Sequence, residues 1–164
     1  EVGAPKWETS DYELAKKFLN SYDPVTLETI KEDIVQTYGG DQLAKILERP
    51  LDDQVHPYVA GVHEYESGST DVGDVGYAAP TLNLNVSTCC IGNVGHTWQM
   101  TAQAGSMLGH KGLLTAAKAL ALSTIRTMES PEVMEAAKAE FVAKTGGVYH
   151  CPLPDDVKPP VGRY

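Results

Sequence analysis

The sequence predicts an α/β fold, and three observations carry that expectation. The first and last thirds place apolar residues at helical spacing, and the middle, from residue 50 to 105, is dense in glycine. Within that middle lies a run in which apolar and polar residues alternate. Helix, strand and helix in this order suit a layered α/β arrangement better than an all-α bundle. The 164 residues, 42% hydrophobic and 21% charged, suit one domain that needs no disulfide or metal staple to fold.

The elements follow in chain order. Ser10 with Glu13 three residues on is a capping-box pattern, and Leu14, Ala15, Phe18 and Leu19 continue it as an apolar helical stripe. Asp23-Pro24 restarts a helix, with Asp23 as cap and Pro24 at the first position, where its missing N–H costs nothing. Leu27, Ile30 and Ile34 form its inner face and Gly39-Gly40 its stop, while the acidic outer faces are solvated. Thr81-Leu82-Asn83-Leu84-Asn85-Val86-Ser87-Thr88-Cys89-Cys90-Ile91 alternates and predicts a strand running toward the interior. Leu113, Ala117, Leu120, Ala121 and Ile125 predict a long helix with one broad apolar face, whose alanines imply close packing against a neighbour. Ser130-Pro131-Glu132 opens a last helix carrying Val133, Ala137 and Phe141 and ending at Gly146-Gly147. Residues 1–150 are the expected folded portion, and 151–164, with four prolines, an extended tail.

Charge and composition exclude several functions. Thirteen Lys and Arg against 22 Asp and Glu give a net charge of −9, the wrong sign for gripping a phosphate backbone, so no nucleic-acid partner is expected. No apolar run nears the roughly 20 residues of a membrane span, and no secretory leader pattern is present. Three cysteines, two of them adjacent at Cys89 and Cys90, make a poor disulfide framework and suggest reduced thiols in the cytoplasm. The chain opens on Glu1, and we expect it to be a piece of a longer polypeptide.

Three short segments carry residue types suited to chemistry. In Gly68-Ser69-Thr70-Asp71-Val72-Gly73-Asp74-Val75, small residues let backbone N–H groups approach an anion, and Ser69 and Thr70 add hydroxyls. Asp71 there suits orienting a partner or capping a helix, and an ordinary turn before a short helix accounts for the same residues. In Gly95-His96-Thr97-Trp98, a histidine leaves a strand tip through a glycine, where neutral imidazole suits a metal ion and a loop-closing hydrogen bond equally well. In His110-Lys111-Gly112, His110 suits a supporting role behind a site, or a structural one, rather than direct ligation, and Lys111 suits an anion. Cys89 and Cys90 sit in an apolar run and read as small buried hydrophobes, which argues against a cysteine hydrolase. His56, His63, His150 and Cys151 receive no role. A complete catalytic zinc site needs at least three protein ligands and a base, and this chain offers one good ligand.

These segments taken together, Gly-Ser-Thr-Asp-Val-Gly-Asp-Val, then Gly-His-Thr-Trp-Gln-Met-x-x-Gln, then His-Lys-Gly before an Ala/Leu helix, resemble the C-terminal part of the dinuclear-zinc amidohydrolases. Within that aminoacylase and carboxypeptidase superfamily the resemblance is to the aminobenzoyl-glutamate utilization branch. Gly3-Ala4-Pro5-Lys6-Trp7 and the Thr-Gly-Gly…Cys-Pro-Leu-Pro ending extend it over nearly the whole chain. It implies an α/β/α sandwich catalytic domain interrupted by a dimerising lid, with residues 1–150 forming the catalytic portion after the lid. It also implies two divalent ions, zinc or else manganese, with His96 as a metal ligand and Gly68, Ser69, Thr70 and Asp71 beside the substrate. The remaining ligands and the catalytic Glu are expected in the part before the lid. Trp98 departs from many relatives and bears on pocket shape. The implied reaction is hydrolysis of the amide of aminobenzoyl-glutamate or another N-acyl amino acid or dipeptide. The implied partners are the remainder of the catalytic and lid domains, in a homo- or hetero-oligomer. This chain alone is expected to bind zinc weakly and hydrolyse nothing, and to expose the apolar face its other half would cover. The competing expectation is a non-catalytic α/β binding or assembly module whose Ala-rich helix packs on a partner.

Overall fold

A computed structural model describes residues 1–59, 70–154 and 156–158. Among these residues there are seven helices and no strand: α1 (Thr9–Leu19), α2 (Pro24–Tyr38), α3 (Leu43–Glu48), α4 (Val72–Ala78), α5 (Trp98–Ala104), α6 (Met107–Met128) and α7 (Pro131–Thr145). The expected α/β fold, and the α/β/α sandwich with it, is therefore corrected to an all-helical one. The reason lies in the alternating run. A strand exists only when a second strand accepts its ladder of N–H and C=O groups. Residues 80–88 take no regular structure and find no such partner, and the alternation does not sort inside from outside, since Leu82 is 80% exposed and Leu84 is exposed too. Only the end of the run is anchored, where the Ile91 N–H donates to the Pro50 carbonyl at 2.9 Å.

The chain divides into two compact units, Glu1–Val62 with Leu84–Thr124, and His63–Asn83 with Ile125–Tyr164. The first holds the core. Tyr12, Ala15 and Leu19 from α1, Ile30 and Ile34 from α2, Ile46 from α3, and Leu51, Cys90 and Leu108 are buried together. The α1 stripe is where the sequence puts it, but the helix starts earlier: the Glu8 N–H donates to Asp11 Oδ2 at 2.8 Å, so the reciprocal cap is Glu8/Asp11 rather than Ser10/Glu13. The α2 start is as expected, with Asp23 Oδ1 accepting from the Val25 and Thr26 N–H groups at 3.0 and 3.1 Å. Gly39, at φ 91°, stops it. The first turns of α6 join this core through glycines. A Cβ on Gly109 would stand 2.3 Å from the Ala104 carbonyl oxygen, and one on Gly112 would stand 2.4 Å from that of Ser87. Close backbone approach is thus made by the His-Lys-Gly segment. The alanine face further along α6 is not covered, and Leu113, Leu120 and Ile125 are each more than half exposed.

The second unit contains α4, the end of α6 and α7. None of its described residues is buried. Helix α7 begins at Pro131 after Ser130 and ends at Gly146, with φ 78°, as the sequence predicts. No helix among the described residues is long and apolar enough to cross a membrane.

Candidate functional site

The loop from Cys90 to Thr97 is held by hydrogen bonds from α5 and from the α1–α2 connection. At its base Gly92 takes φ 81°, and a Cβ there would lie 2.4 Å from Ile30 Cγ2, so only glycine fits the contact with α2. Gln103, which is 0% exposed, reaches back from α5 with both ends of its amide. Its Oε1 accepts the Cys90 N–H at 2.8 Å and its Nε2 donates to Asn93 Oδ1 at 2.7 Å. Tyr22, buried between α1 and α2, donates its hydroxyl to the same Asn93 Oδ1 at 3.3 Å and accepts the Val94 N–H at 2.9 Å. Thr97 closes the loop: its hydroxyl donates to the Val94 carbonyl at 2.8 Å and caps α5 by accepting the Met100 N–H at 3.3 Å. A fifth polar group, Gln99, donates to Ser21 Oγ at 3.3 Å.

His96 rides at the top of this loop. It is the one described non-glycine residue with positive φ, at 58°, a conformation that costs a side-chain-bearing residue on the order of 1–3 kcal/mol and that concentrates at functional sites. Its side chain is exposed, and no described residue hydrogen-bonds its ring. Next to it Trp98 is 62% exposed, with its ring 6.3 Å from that of Phe18. An open shelf of about 430 Å³ beside the loop is lined by Ser21, Asp23, Thr26, Thr97 and Trp98 among others.

The other predicted residues fall as follows. Gly68 and Ser69 lie outside the described residues. Thr70 and Asp71 are exposed at the start of α4 in the second unit, where Thr70 Oγ1 accepts the Val72 N–H at 3.4 Å and Asp71 makes no side-chain cap. His110 is exposed in the first turn of α6, in the first unit. Lys111, offered as an anion binder, is instead held by Asp11 and Glu8, and the Asp11 carboxylate raises its pKa above the ordinary lysine value. Cys90 is buried, and burial pushes its thiol up to about 12, with Cys89 shifted the same way by burial. Neither is a nucleophile at neutral pH.

Among the described residues no group of three or more His, Cys, Asp or Glu side chains is close enough to hold a metal ion. They do not by themselves fit a metal centre; one exposed imidazole suits a single ligand position and no more. Sequence reasoning missed Tyr22, Asn93 and Gln103. The available signal was Gln99 and Gln103, four apart on one face of a short helix, where a buried stripe normally carries apolar residues. It also missed the first unit's cleft of about 290 Å³, lined by Tyr38, Lys45, Arg49, Asp52 and His56 among others, in which His56 Nε2 lies 2.7 Å from Asp52 Oδ2.

No family model matches the chain, and no solved structure matches it significantly. It is similar to one of the subunits of the p-aminobenzoyl-glutamate hydrolase of Escherichia coli K12, at 29% identity over 161 residues, which cover 96% of this chain and 33% of that protein. It is also similar to mouse Xaa-Arg dipeptidase, at 34% identity over 80 residues, 48% of this chain and 18% of that protein. The chain thus spans a third or less of the length of either relative.

Proposed function

We propose that this chain is part of a metal-dependent amidohydrolase that cleaves the amide bond of p-aminobenzoyl-glutamate or a related N-acyl amino acid or dipeptide. The observation that carries the proposal is the similarity to the Escherichia coli p-aminobenzoyl-glutamate hydrolase polypeptide along 96% of the chain. The mouse relative, whose name is also that of an amide-cleaving enzyme, supports the same reaction class. His96, exposed and held in a left-handed backbone, is the group we assign to one ligand position of a site for two divalent ions, zinc or manganese. Bound divalent ions would supply Lewis-acid polarisation of an amide carbonyl. The other ligands and the proton-shuttling Glu are assigned to the remainder of the protein, and Gly68, Ser69, Thr70 and Asp71 to the substrate's carboxylate, with His110 in support. Exposed apolar residues along α6, Leu113, Leu114 and Leu120 among them, support a covering partner from that remainder. The three free cysteines support a reducing compartment, the cytoplasm.

The test is amide hydrolysis by the full-length protein containing this chain, loaded with zinc or manganese, on p-aminobenzoyl-glutamate and a small panel of acyl amino acids. We expect activity that collapses in His96→Ala and is absent from the 164-residue chain alone. A folded, metal-loaded protein inert on every substrate would refute the enzyme and favour a non-catalytic assembly module built on the exposed α6 face.

A further inference from the structure

The hydrogen bonds converging on the 90–97 loop do more than close a core. Four of its residues are fixed from two sides: Cys90 and Asn93 by Gln103 of α5, Asn93 and Val94 by Tyr22 between α1 and α2, and Thr97 by its own cap. Two of the three side chains that do this are buried, with Gln103 fully so. A strained backbone persists only where its surroundings over-determine it. The only described non-glycine residue with positive φ is His96, and it sits between the pinned Val94 and the pinned Thr97. From this geometry we infer that Tyr22, Asn93 and Gln103 are positioning residues: they hold the loop in the one conformation that projects the His96 imidazole outward.

The chemistry of the three side chains suits that task. Asn93 Oδ1 accepts from both Gln103 and Tyr22, so α5 and the α1–α2 connection meet at one oxygen three residues before His96. The Tyr22 hydroxyl donates to that oxygen and accepts the Val94 N–H, which nothing else in the loop satisfies. Removing this hydroxyl leaves the ring's packing intact and frees one backbone N–H beside His96. The functional side of this inference rests on the hydrolase reading; the conformational side stands without it.

Tyr22→Phe is the test, with Asn93→Leu as a second disrupting variant and Asn93→Asp as the conservative one, since a carboxylate keeps the shared acceptor. In the 164-residue chain, hydrogen exchange at the Val94 amide is expected to quicken about tenfold or more in Tyr22→Phe, the factor that one buried N–H left unpaired implies. The His96 ring resonances should move with it, while the Ile30 and Ile34 amides of α2 keep their parent rates. In the full-length protein the same variant should lower kcat about tenfold with KM within about twofold, as should Asn93→Leu, and Asn93→Asp should retain most of the activity. Exchange that quickens equally at Val94 and in α2 would overturn the inference, because the network would then serve only global stability. An unmoved His96 ring would overturn it as well. The two failures are separable: loss of activity in His96→Ala with none in Tyr22→Phe removes the positioning role and leaves the hydrolase. A fully active His96→Ala removes the hydrolase site, and the exchange rates still decide the loop.

Discussion

Helices α2 and α7 have the same length, 15 residues, and the same proline at their start, yet they end in opposite states. Helix α2 buries Ile30 and Ile34, and its Asp23 cap satisfies two N–H groups. Helix α7 buries nothing, and Ser130 makes no side-chain cap. The difference is in arrangement rather than in amount of apolar residue. In α2, Leu27, Ile30 and Ile34 line one stripe, so a single neighbouring surface buries Ile30 and Ile34 and half-covers Leu27. In α7, Val133, Met134, Ala137 and Phe141 share one side, but Ala136, Ala139, Val142 and Ala143 fall on the others, and of all these only Ala137 and Phe141 are half-buried. Helix boundaries follow local signals that both helices share, whereas burial depends on a stripe meeting a partner. The first unit meets that condition, and the His96 loop is built on it.

Truncation should expose this contrast most strongly. Leu19→Ala, in the core of the first unit, should cost about 2–5 kcal/mol in denaturant unfolding, whereas Met134→Ala on α7 should stay within about 0.5 kcal/mol. Similar costs at the two positions would break the comparison. Glycines should sharpen it next. Gly112→Ala forces a methyl against the Ser87 backbone and should destabilise by about 1–3 kcal/mol; Gly76→Ala, in α4 with open space around it, should stabilise by about 0.5–1 kcal/mol.

Acid should act on the first unit more gently. Hydrogen bonds from the Gln54 side chain and then from Tyr12 hold Asp53 below the usual carboxylate range. A depressed folded pKa means that the stabilisation is complete above the unfolded value of about 3.9 and is lost as pH falls through the folded value. The stability gap between the parent and Asp53→Asn should therefore be flat above about pH 4 and close below it, which urea titrations across that range would read. A gap that widens on acidification would mean that the sign is wrong. The smallest expected effect is in thiol labelling. Cys151, exposed in the second unit, should react with a thiol reagent near neutral pH, and buried Cys90 should do so only on unfolding.

Much of the helical layout was legible in the sequence because its signals are local. Asp23-Pro24, Gly39 and Ser130-Pro131 each act through the residue's own backbone and nearest N–H groups, and the helices start and stop there. That residues 81–91 form no strand was not legible, because alternation states only which faces differ, and whether they form a ladder depends on a partner elsewhere in the chain. The α6 face failed for a related reason: Leu113 and Leu120 have the right spacing but no described neighbour covers them, while the contact actually made runs through Gly109 and Gly112. At the candidate site, His96 stood out through its residue type and its glycine. Tyr22, Asn93 and Gln103 did not, since they come from three separate places in the chain and acquire meaning only when the fold brings their amide and hydroxyl groups to one loop.

The central claim, that the core of the first unit rigidly supports the His96 loop while α7 lacks such support, is tested most directly by backbone hydrogen exchange along the whole chain. The amides of α1, α2 and residues 90–103 should open together, with protection at least about a hundredfold greater than in α7, as expected of a cooperative core beside a segment with few buried contacts. Protection in α7 equal to that of α2, or a 90–97 loop exchanging as fast as α7, would contradict the account.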